Sequence, residues 1–413
     1  MDPDPTDPDL PLTRRGFGRL TALGAAALAL PRPARATAEP AGAADLRLAD
    51  GPNLPVAVAG VPRGSEGAAT ERAVRETVLG TTDFSWLSRG DSVLIKVSCN
   101  SGNVYPATTD PIALRTMIGL LRERGAGRVI VADMSGVEAV RFSKDETRGS
   151  SRELLHSAGL AQVAEDAGAE VQAFEEAGWD GFYEEAPAAK GSWKNSLFLP
   201  EVLREADHVV LMPRCSRHLL AGSTLALKCA VGWWRHDSRL EYHHDASTFA
   251  QKTADANTVP SLREKQRLVV TSATKVMALF GPDDGRVVAP ETGIVFASVD
   301  AVAHDLVSLS WLLSTRASIL EEKRAGLMDD PNTSPTVVNF ANRVVNLWLG
   351  GIGKAVSAER LRPWPATDVW NDRVMQRAFE NSGGVPPVEL AYTGGVPMSL
   401  QESLTESIRL PSS

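Results

Sequence analysis

The sequence predicts an α/β protein with a mostly parallel sheet flanked by helices, forming two lobes around a cleft at the carboxyl ends of the strands. Continuous apolar runs at 91–97 and 128–133 are typical of strands that are covered on both faces. Helical patterns alternate with such runs along the chain, as in β-α-β units with right-handed crossovers. Polar loops follow several of the runs. These three observations define the fold class.

The predicted elements follow one another without an internal repeat. Strands are predicted at 56–59, 91–97, 128–133, 169–174, 209–212, 266–270 and 294–298. Helices are predicted near 66–79, 112–124, 151–168, 200–206, 225–231, 300–315 and 335–348. The helix at 112–124 has the clearest start, because Asp110 can cap it and Pro111 suits its first turn. After Trp364 no periodicity is strong, which favours loop.

The first residues have the pattern of an export signal. Arg14 and Arg15 lie in a twin-arginine motif, and an apolar run of small residues, 20–30, precedes small-residue cleavage sequences. We therefore expect a twin-arginine signal at 1–36, a linker at 37–52, an α/β domain at 53–320 and a helical and loop extension packed on it at 321–413. The expected partner is the twin-arginine translocase, and the expected location is periplasmic or extracellular.

Composition excludes some functions. A hydrophobic fraction of 43% and a formal charge of −8 are those of a soluble globular chain without a polyanion-binding surface, so no nucleic-acid partner is expected. No segment after the signal is apolar enough to cross a membrane. The three cysteines lack the number and spacing for an iron–sulfur cluster. Cys215 and Cys229 could form a disulfide, although burial of Cys229 on an apolar helix is the simpler interpretation.

Polar side chains follow four of the predicted strands. They are Lys96 and Asn100, Asp133 and Ser135, the loop 214–218, and Ser298 with Asp300. In open parallel sheets ligands bind beyond the carboxyl ends of the strands. We therefore expect one edge of the sheet to bring these groups together. Lys96, Asn100 and Asp133 are predicted to contribute to binding of a small anion.

The stretch 208–245 contains five of the seven histidines. Gly222, Ser223 and Thr224 are predicted to open a helix, whose free amides and dipole favour an anion. Lys228 lies four residues after Thr224, on the same helical face. Its apolar neighbours indicate burial, which is costly for an unpaired ammonium unless function requires it. Lys228 is therefore predicted to bind or catalyse.

His218, His243 and His244 are predicted to act as metal ligands or as an acid–base pair, because histidine titrates near neutral pH. His236 is a further candidate. Adjacent His243 and His244 point to different faces of any helix or strand, so only one of the two is expected in the site. The remaining histidines, 156, 208 and 304, are expected to be structural. Trp233 and Trp234 favour core packing over cofactor stacking.

Four segments resemble family 362 of the domains of unknown function. They are IKVSCN (95–100), TTDPIALRTMIGLLRERGAGRVIVADMSG (108–136), RHLLAGSTLALKCAVG (217–232) and ASVDAVAHD (297–305). The chain lacks the ferredoxin-type cysteine motifs of some members, and it has Arg-Cys-Ser-Arg-His at 214–218 where the family usually has Pro-Lys-Leu-Lys-x-His. The family itself implies no specific activity.

The order His218, Lys228 and then His243 or His244 resembles, more weakly, that of the nickel-pincer lactate racemase family. This resemblance implies that a divalent metal or a nickel–nucleotide cofactor could bind. Together the sequence predicts an exported, metal- or cofactor-dependent enzyme that acts on a small carboxylate or phosphate by proton or hydride chemistry. An isomerase or racemase and an oxidoreductase both fit. The alternative is a periplasmic metal- or ligand-binding protein without turnover.

Overall fold

A computed structural model describes residues 46–324, 334–364 and 366–411 of the chain. The large sheet has eight strands: β1 (Leu54–Pro62), β2 (Ser92–Val97), β3 (Arg128–Asp133), β6 (Glu170–Ala173), β9 (His208–Met212), β12 (Gln266–Ala273), β15 (Thr292–Ser298) and β16 (Val388–Gly394). A smaller sheet contains β10 (Ser216–His218), β11 (Gly222–Thr224), β13 (Val276–Phe280) and β14 (Gly285–Val288). Two hairpins pair β4 (Arg141–Phe142) with β5 (Thr147–Arg148), and β7 (Phe182–Glu185) with β8 (Leu197–Pro200).

Helices connect and cover the strands. They are α1 (Ala68–Thr81), α2 (Pro111–Glu123), α3 (Ser151–Ser157), α4 (Leu160–Asp166), α5 (Glu201–Glu205), α6 (Ala226–Cys229), α7 (His236–His244), α8 (Phe249–Asp255), α9 (Pro260–Lys265), α10 (Ala301–Ala317), α11 (Pro335–Ser357), α12 (Arg373–Asn381) and α13 (Met398–Ser407). As the sequence predicts, Asp110 caps α2 by accepting from the amide of Ile112 at 2.9 Å.

Apolar side chains cover both faces of the large sheet. Along β2, Val93 and Ile95 face one apolar cluster, whereas Leu94 faces the other. The first cluster includes α1 and α2, and the second continues into the smaller sheet through Ala278. The predicted fold class, a mostly parallel sheet flanked by helices, is therefore confirmed. Because the two sheets share apolar packing, the division into two lobes remains a prediction.

The order of the large sheet is β16-β1-β15-β12-β9-β2-β3-β6, and β15 runs antiparallel to both of its neighbours. The other five pairings are parallel. The expectation that Ser298 and Asp300 join the other strand ends is therefore wrong. After β15 the chain continues towards the amino ends of the parallel strands. There Asp300 caps α10 and lines a cavity of about 160 Å³ with Gln266, the first residue of β12.

Two local predictions also need correction. The single helix expected at 151–168 is divided into α3 and α4 at Gly159, which has a φ of +78°. The segment after Trp364, expected to be loop, contains α12, α13 and the edge strand β16, which pairs in parallel with β1. The twin-arginine signal at 1–36 lies outside the described residues. Within the described ranges, no helix is long and apolar enough to cross a membrane.

Candidate functional site

The carboxyl ends of β2, β3 and β9 lie side by side. Lys96 is level with Leu211 on one side and with Ala132 on the other. The loops that leave these strands therefore start at the same edge and carry Asn100, Ser135 and Arg214. The expectation from sequence holds for these three strand ends.

Lys96 and Asp133 form a buried ion pair at the base of this edge. Lys96 Nζ lies 2.7 Å from Asp133 Oδ1, and the lysine side chain is 1% exposed. Nζ also donates to the carbonyl of Val97 at 2.8 Å, and Asp133 Oδ2 accepts from the amide of Cys99 at 2.7 Å. Because the two charges compensate each other, these residues form the structural base of the site. Anion binding by either of them remains a prediction.

Gly232 leaves the space that this ion pair needs. A Cβ atom at this position would lie 2.3 Å from Lys96 Nζ and 2.4 Å from Asp133 Oδ1. Gly232→Ala is expected to separate the pair and to lower the free energy of unfolding by about 3 kcal/mol. Chemical denaturation measures this change. Gly119→Ala is the matched control, because that helical glycine has open space around its Cβ position. Equal stability of the two variants would contradict the assignment.

Arg214 is a buried cation without an ion pair to any described residue. It is 2% exposed, its guanidinium donates to the carbonyl of Ala107, and its Nε has no partner among the described atoms. Burial lowers the pKa of Arg214, and the charge of Asp283 opposes this shift most strongly. Arg239 is a second buried cation, and it donates to the carbonyls of Met134 and Trp234 at 2.8 and 2.9 Å. Burial likewise lowers the pKa of Arg239, to about 10.

Lys228 lies within reach of these charges. Its Nζ has no hydrogen bond or ion pair to another residue in the described ranges. Burial, followed by the positive charges of Arg214 and Arg239, lowers the pKa of Lys228 to about 7. A lysine in this environment is partly neutral at physiological pH and can accept a proton. The side chain predicted to be functional therefore has the electrostatic environment of a general base.

His218 presents a hydrogen-bond donor. Its Nδ1 accepts from the amides of Leu220 and Ala221 at 3.1 and 3.2 Å. Burial, followed by the charge of Lys228, lowers the pKa of His218 well below its usual value, so the ring is neutral. A neutral imidazole that accepts at Nδ1 carries its proton on Nε2. Nε2–H can donate to an anion, but neither ring nitrogen offers a free lone pair to a metal.

His243 presents the complementary group. The side-chain nitrogen of Asn342 donates to the carbonyl of His243 at 2.8 Å. The side-chain oxygen of Asn342 therefore faces His243 Nδ1 and accepts from its N–H at 3.0 Å. The Nε2 lone pair is therefore free to accept a proton. Burial lowers the pKa of His243 to about 3, and the charge of Lys228 contributes. The charge of Lys228 thus lowers the pKa of both His218 and His243.

His244 lies on the other face of α7, as expected for one of two adjacent histidines. Its Nδ1 and Nε2 contact Asp245 and Ser357 at 2.8 and 2.9 Å. The proposed metal set of His218, His243 and His244 is therefore not assembled. The described part of the chain contains no group of three or more His, Cys, Asp or Glu side chains that could hold a metal. His236 is buried and accepts from the amide of Phe142, which is a structural role.

The helix start predicted at 221–224 is wrong. Gly222, Ser223 and Thr224 form β11, which pairs with β10, and α6 begins at Ala226. The first amides of α6, those of Ala226 and Leu227, donate to the carboxylate of Asp305 at 2.9 and 2.8 Å. The carboxylate of Asp305 thus occupies the position at this helix terminus where a bound anion was expected. The anion-binding role predicted for Gly222, Ser223 and Thr224 depended on this helix start, and it remains only a prediction.

Cys99, Cys215 and Cys229 are buried free thiols, so the disulfide considered for the last two is absent from this structure. Trp233 and Trp234 are core residues, each 1% exposed. Among the residues that sequence reasoning did not assign to the site, Arg239 lies within the histidine-rich stretch, but only its position beside Lys228 indicates a role. Asp283 and Asp305 are distant in sequence from the histidine-rich stretch, and no sequence pattern indicated a role for them.

The fold and the site define an α/β protein with a cationic site at the carboxyl ends of parallel strands. The model of a family described as "Domain of unknown function (DUF362)" matches residues 93–310, more than half of the chain. The chain belongs to this family, which confirms the resemblance found in its motifs.

Two solved structures are similar at a low level. A protein from Thermotoga maritima has 9% sequence identity and a TM-score of 0.35, with 60% of this chain and 57% of that chain covered. The lactate racemase apoprotein from Thermoanaerobacterium thermosaccharolyticum has 11% identity and a TM-score of 0.37, with 82% and 88% covered. No curated protein matches the sequence.

Proposed function

We propose that this chain is an exported enzyme that binds a small carboxylate or phosphate substrate and transfers a proton to and from it. The observation that carries the proposal is the buried guanidinium of Arg214, which has no ion pair to a described residue and whose charge, like that of Arg239, lowers the pKa of Lys228. Burying a charge without a partner is costly. An anionic ligand would supply the missing charge. Export is inferred from the twin-arginine pattern alone.

The side chains of the site divide the chemistry between them. The substrate anion binds to the guanidinium of Arg214 and accepts a hydrogen bond from His218 Nε2–H. The neutral amine of Lys228 takes a proton from the carbon or oxygen next to the anionic group. His243, whose Nε2 is unprotonated, can accept a hydrogen bond from the substrate on the other side. A base with a pKa of about 7 is well matched to neutral pH.

A protein-held divalent metal does not fit this site, because His218 offers no free lone pair and His244 faces away. A nickel–nucleotide cofactor, implied by the weaker resemblance, makes different demands. Its phosphate would fit the positive charge of Arg214, and His243 Nε2 offers one free nitrogen. When bound, such a cofactor would supply hydride chemistry. The proton transfers assigned to Lys228 do not depend on it.

Two measurements test the proposal. Titration calorimetry with acetate, glycolate, phosphate and sulfate tests anion binding. Proton NMR in D₂O then tests whether the protein exchanges the hydrogen next to the carboxylate in a panel of 2-hydroxy and 2-amino acids. Anion binding with exchange supports an enzyme. Binding without exchange of any substrate would favour the alternative, a periplasmic metal- or ligand-binding protein without turnover, and no binding of any of the four anions would refute the proposed enzyme.

The two adjacent histidines provide a matched comparison. His243→Gln removes a ring nitrogen that can accept a hydrogen bond from the substrate, and it is expected to lower the exchange rate by about 10-fold. His244→Gln removes a ring that contacts Asp245 and Ser357 outside the site, so exchange should change by less than about twofold. The rates are read from the NMR signal of the exchanging hydrogen. Similar losses in both variants would contradict the assignment of His243.

A further inference from the structure

The loop from Gly281 to Asp284 joins β13 to β14 and reaches the carboxyl end of β2. Asp283 Oδ2 and Oδ1 accept from the amide nitrogen of Asn100 at 2.7 and 3.0 Å. The carbonyl of Asp283 accepts from Asn103 Nδ2 at 2.9 Å. At the other end of the loop, the amide of Leu219 donates to the carbonyl of Gly281 at 3.1 Å. The loop is therefore tied to both sheets.

Close packing fixes the position of this loop. Gly281 has a φ of +67°, and a Cβ atom there would lie 1.9 Å from the carbonyl oxygen of Arg217. Asn100 is held in the same way, because a Cβ atom on Gly136 would lie 2.4 Å from Asn100 Oδ1. The amide of Gly136 also donates to the carbonyl of Asn100 at 2.9 Å. The carboxylate of Asp283 is thus held in place at the edge of the anion site.

Asp283 lies beside the strand end that carries Arg214, because it binds Asn100 after β2, and β2 pairs with β9, which leads into Arg214. No ion pair joins the two side chains, yet the carboxylate of Asp283 is the charge that most favours the protonated guanidinium. Asp283 is partly exposed, whereas Arg214 is buried. The carboxylate of Asp283 is therefore closer to solvent than the guanidinium of Arg214.

We propose that Asp283 places a fixed negative charge at the edge of the anion site and makes the site select singly charged over doubly charged ligands. This inference rests on the proposed function, in which an anion binds at Arg214. A ligand with one carboxylate can bind Arg214 through that group, while its uncharged part lies beside Asp283. A second negative charge on the ligand would be repelled by the carboxylate that Asn100 and Asn103 hold in place.

Asp283→Asn tests this selectivity, because it removes the charge and keeps an oxygen that can accept from Asn100. Acetate and sulfate are titrated by calorimetry at constant ionic strength and pH 7.5, where their charges are −1 and −2. Coulomb energy scales with ligand charge, so a gain of about threefold for acetate predicts a gain of about tenfold for sulfate. Asp283→Ser is the second variant if the first does not fold.

Asp284→Asn is the matched control, since it makes the same change of net charge at the exposed neighbouring residue. It should change both affinities by less than about twofold. Equal gains in the two variants, or equal gains for the two anions in Asp283→Asn, would overturn the inference. If wild type binds acetate or sulfate but the selectivity is unchanged, only this inference fails. If no variant binds any anion, the proposed function fails as well.

Discussion

Replacement of Arg214 by methionine is expected to lower the affinity for sulfate by at least about 100-fold while the thermal midpoint stays the same or rises. The loss of affinity follows from the charge-assisted hydrogen bonds of a buried guanidinium, which contribute about 3 kcal/mol or more. The stability is retained because the charge has no ion pair to a described residue in the ligand-free protein. A methionine of similar length removes the cost of its desolvation. Calorimetry and a thermal melt measure the two effects.

Arg235→Met is the matched control for this prediction. Arg235 is also buried, but its guanidinium binds the carboxylate of Asp237 at 2.7 Å and stacks on the rings of Trp179 and Phe198. The same substitution there should lower the thermal midpoint and leave the affinity for sulfate within about twofold. The two arginines thus give opposite patterns. Sulfate affinity within twofold of wild type in Arg214→Met would show that this side chain does not bind the anion.

The base of the candidate site could be predicted because it depends on local pattern. The apolar runs that end at Val97, Asp133 and Met212 are continuous, so each was recognisable as a buried parallel strand. Parallel neighbours place their carboxyl ends at one edge without further information. The direction of β15 could not be predicted in this way. Its apolar run is equally continuous, but its antiparallel pairing depends on contacts with β1 and β12, which are distant in sequence.

The helix start at 221–224 shows how long-range contacts override a local signal. Ser223 and Thr224 are good capping residues, and an apolar helical pattern follows them. In the structure Thr224 instead pairs with Ser216 across β10 and β11, and Asp305 satisfies the amides of α6 from about 80 residues away. The tail was missed for a related reason. Its strand β16 is an edge strand, which needs no continuous apolar run.

The role proposed for Arg214 could not be predicted from the sequence, because whether a cation has an ion pair depends on residues that are distant in sequence. The polar loop 214–218 was expected at the sheet edge, yet its sequence does not distinguish a paired arginine from an unpaired one. Lys228 gave a clearer signal, since apolar residues on both sides indicated burial. Burial near other cations is the cause of its lowered pKa. The sequence therefore predicted a buried lysine, and the structure adds the cations that lower its pKa.

Replacement of Lys228 by methionine is expected to reduce hydrogen exchange in a bound carboxylate substrate by about 1000-fold, the upper part of the range for a general base. In wild type the exchange rate should rise with pH to a plateau, with a midpoint near the lysine pKa of about 7. Lys228→Arg keeps the positive charge but cannot lose a proton at neutral pH. It should therefore retain anion binding and lose exchange. Exchange in Lys228→Arg within tenfold of wild type would exclude Lys228 as the base.

Stability gives a second measurement that does not require the substrate. The pKa of Lys228 is about 7 in the folded chain and about 10.4 in an unfolded one, so between these values only the unfolded state holds the proton. This lysine therefore makes wild type more stable as pH rises from about 7 to 10, and less stable as pH falls through that window. Lys228→Met lacks this dependence, so its advantage in thermal midpoint over wild type should be larger at pH 7 than at pH 10. A difference between the two proteins that does not change with pH would mean that the lysine has an ordinary pKa and remains charged at neutral pH.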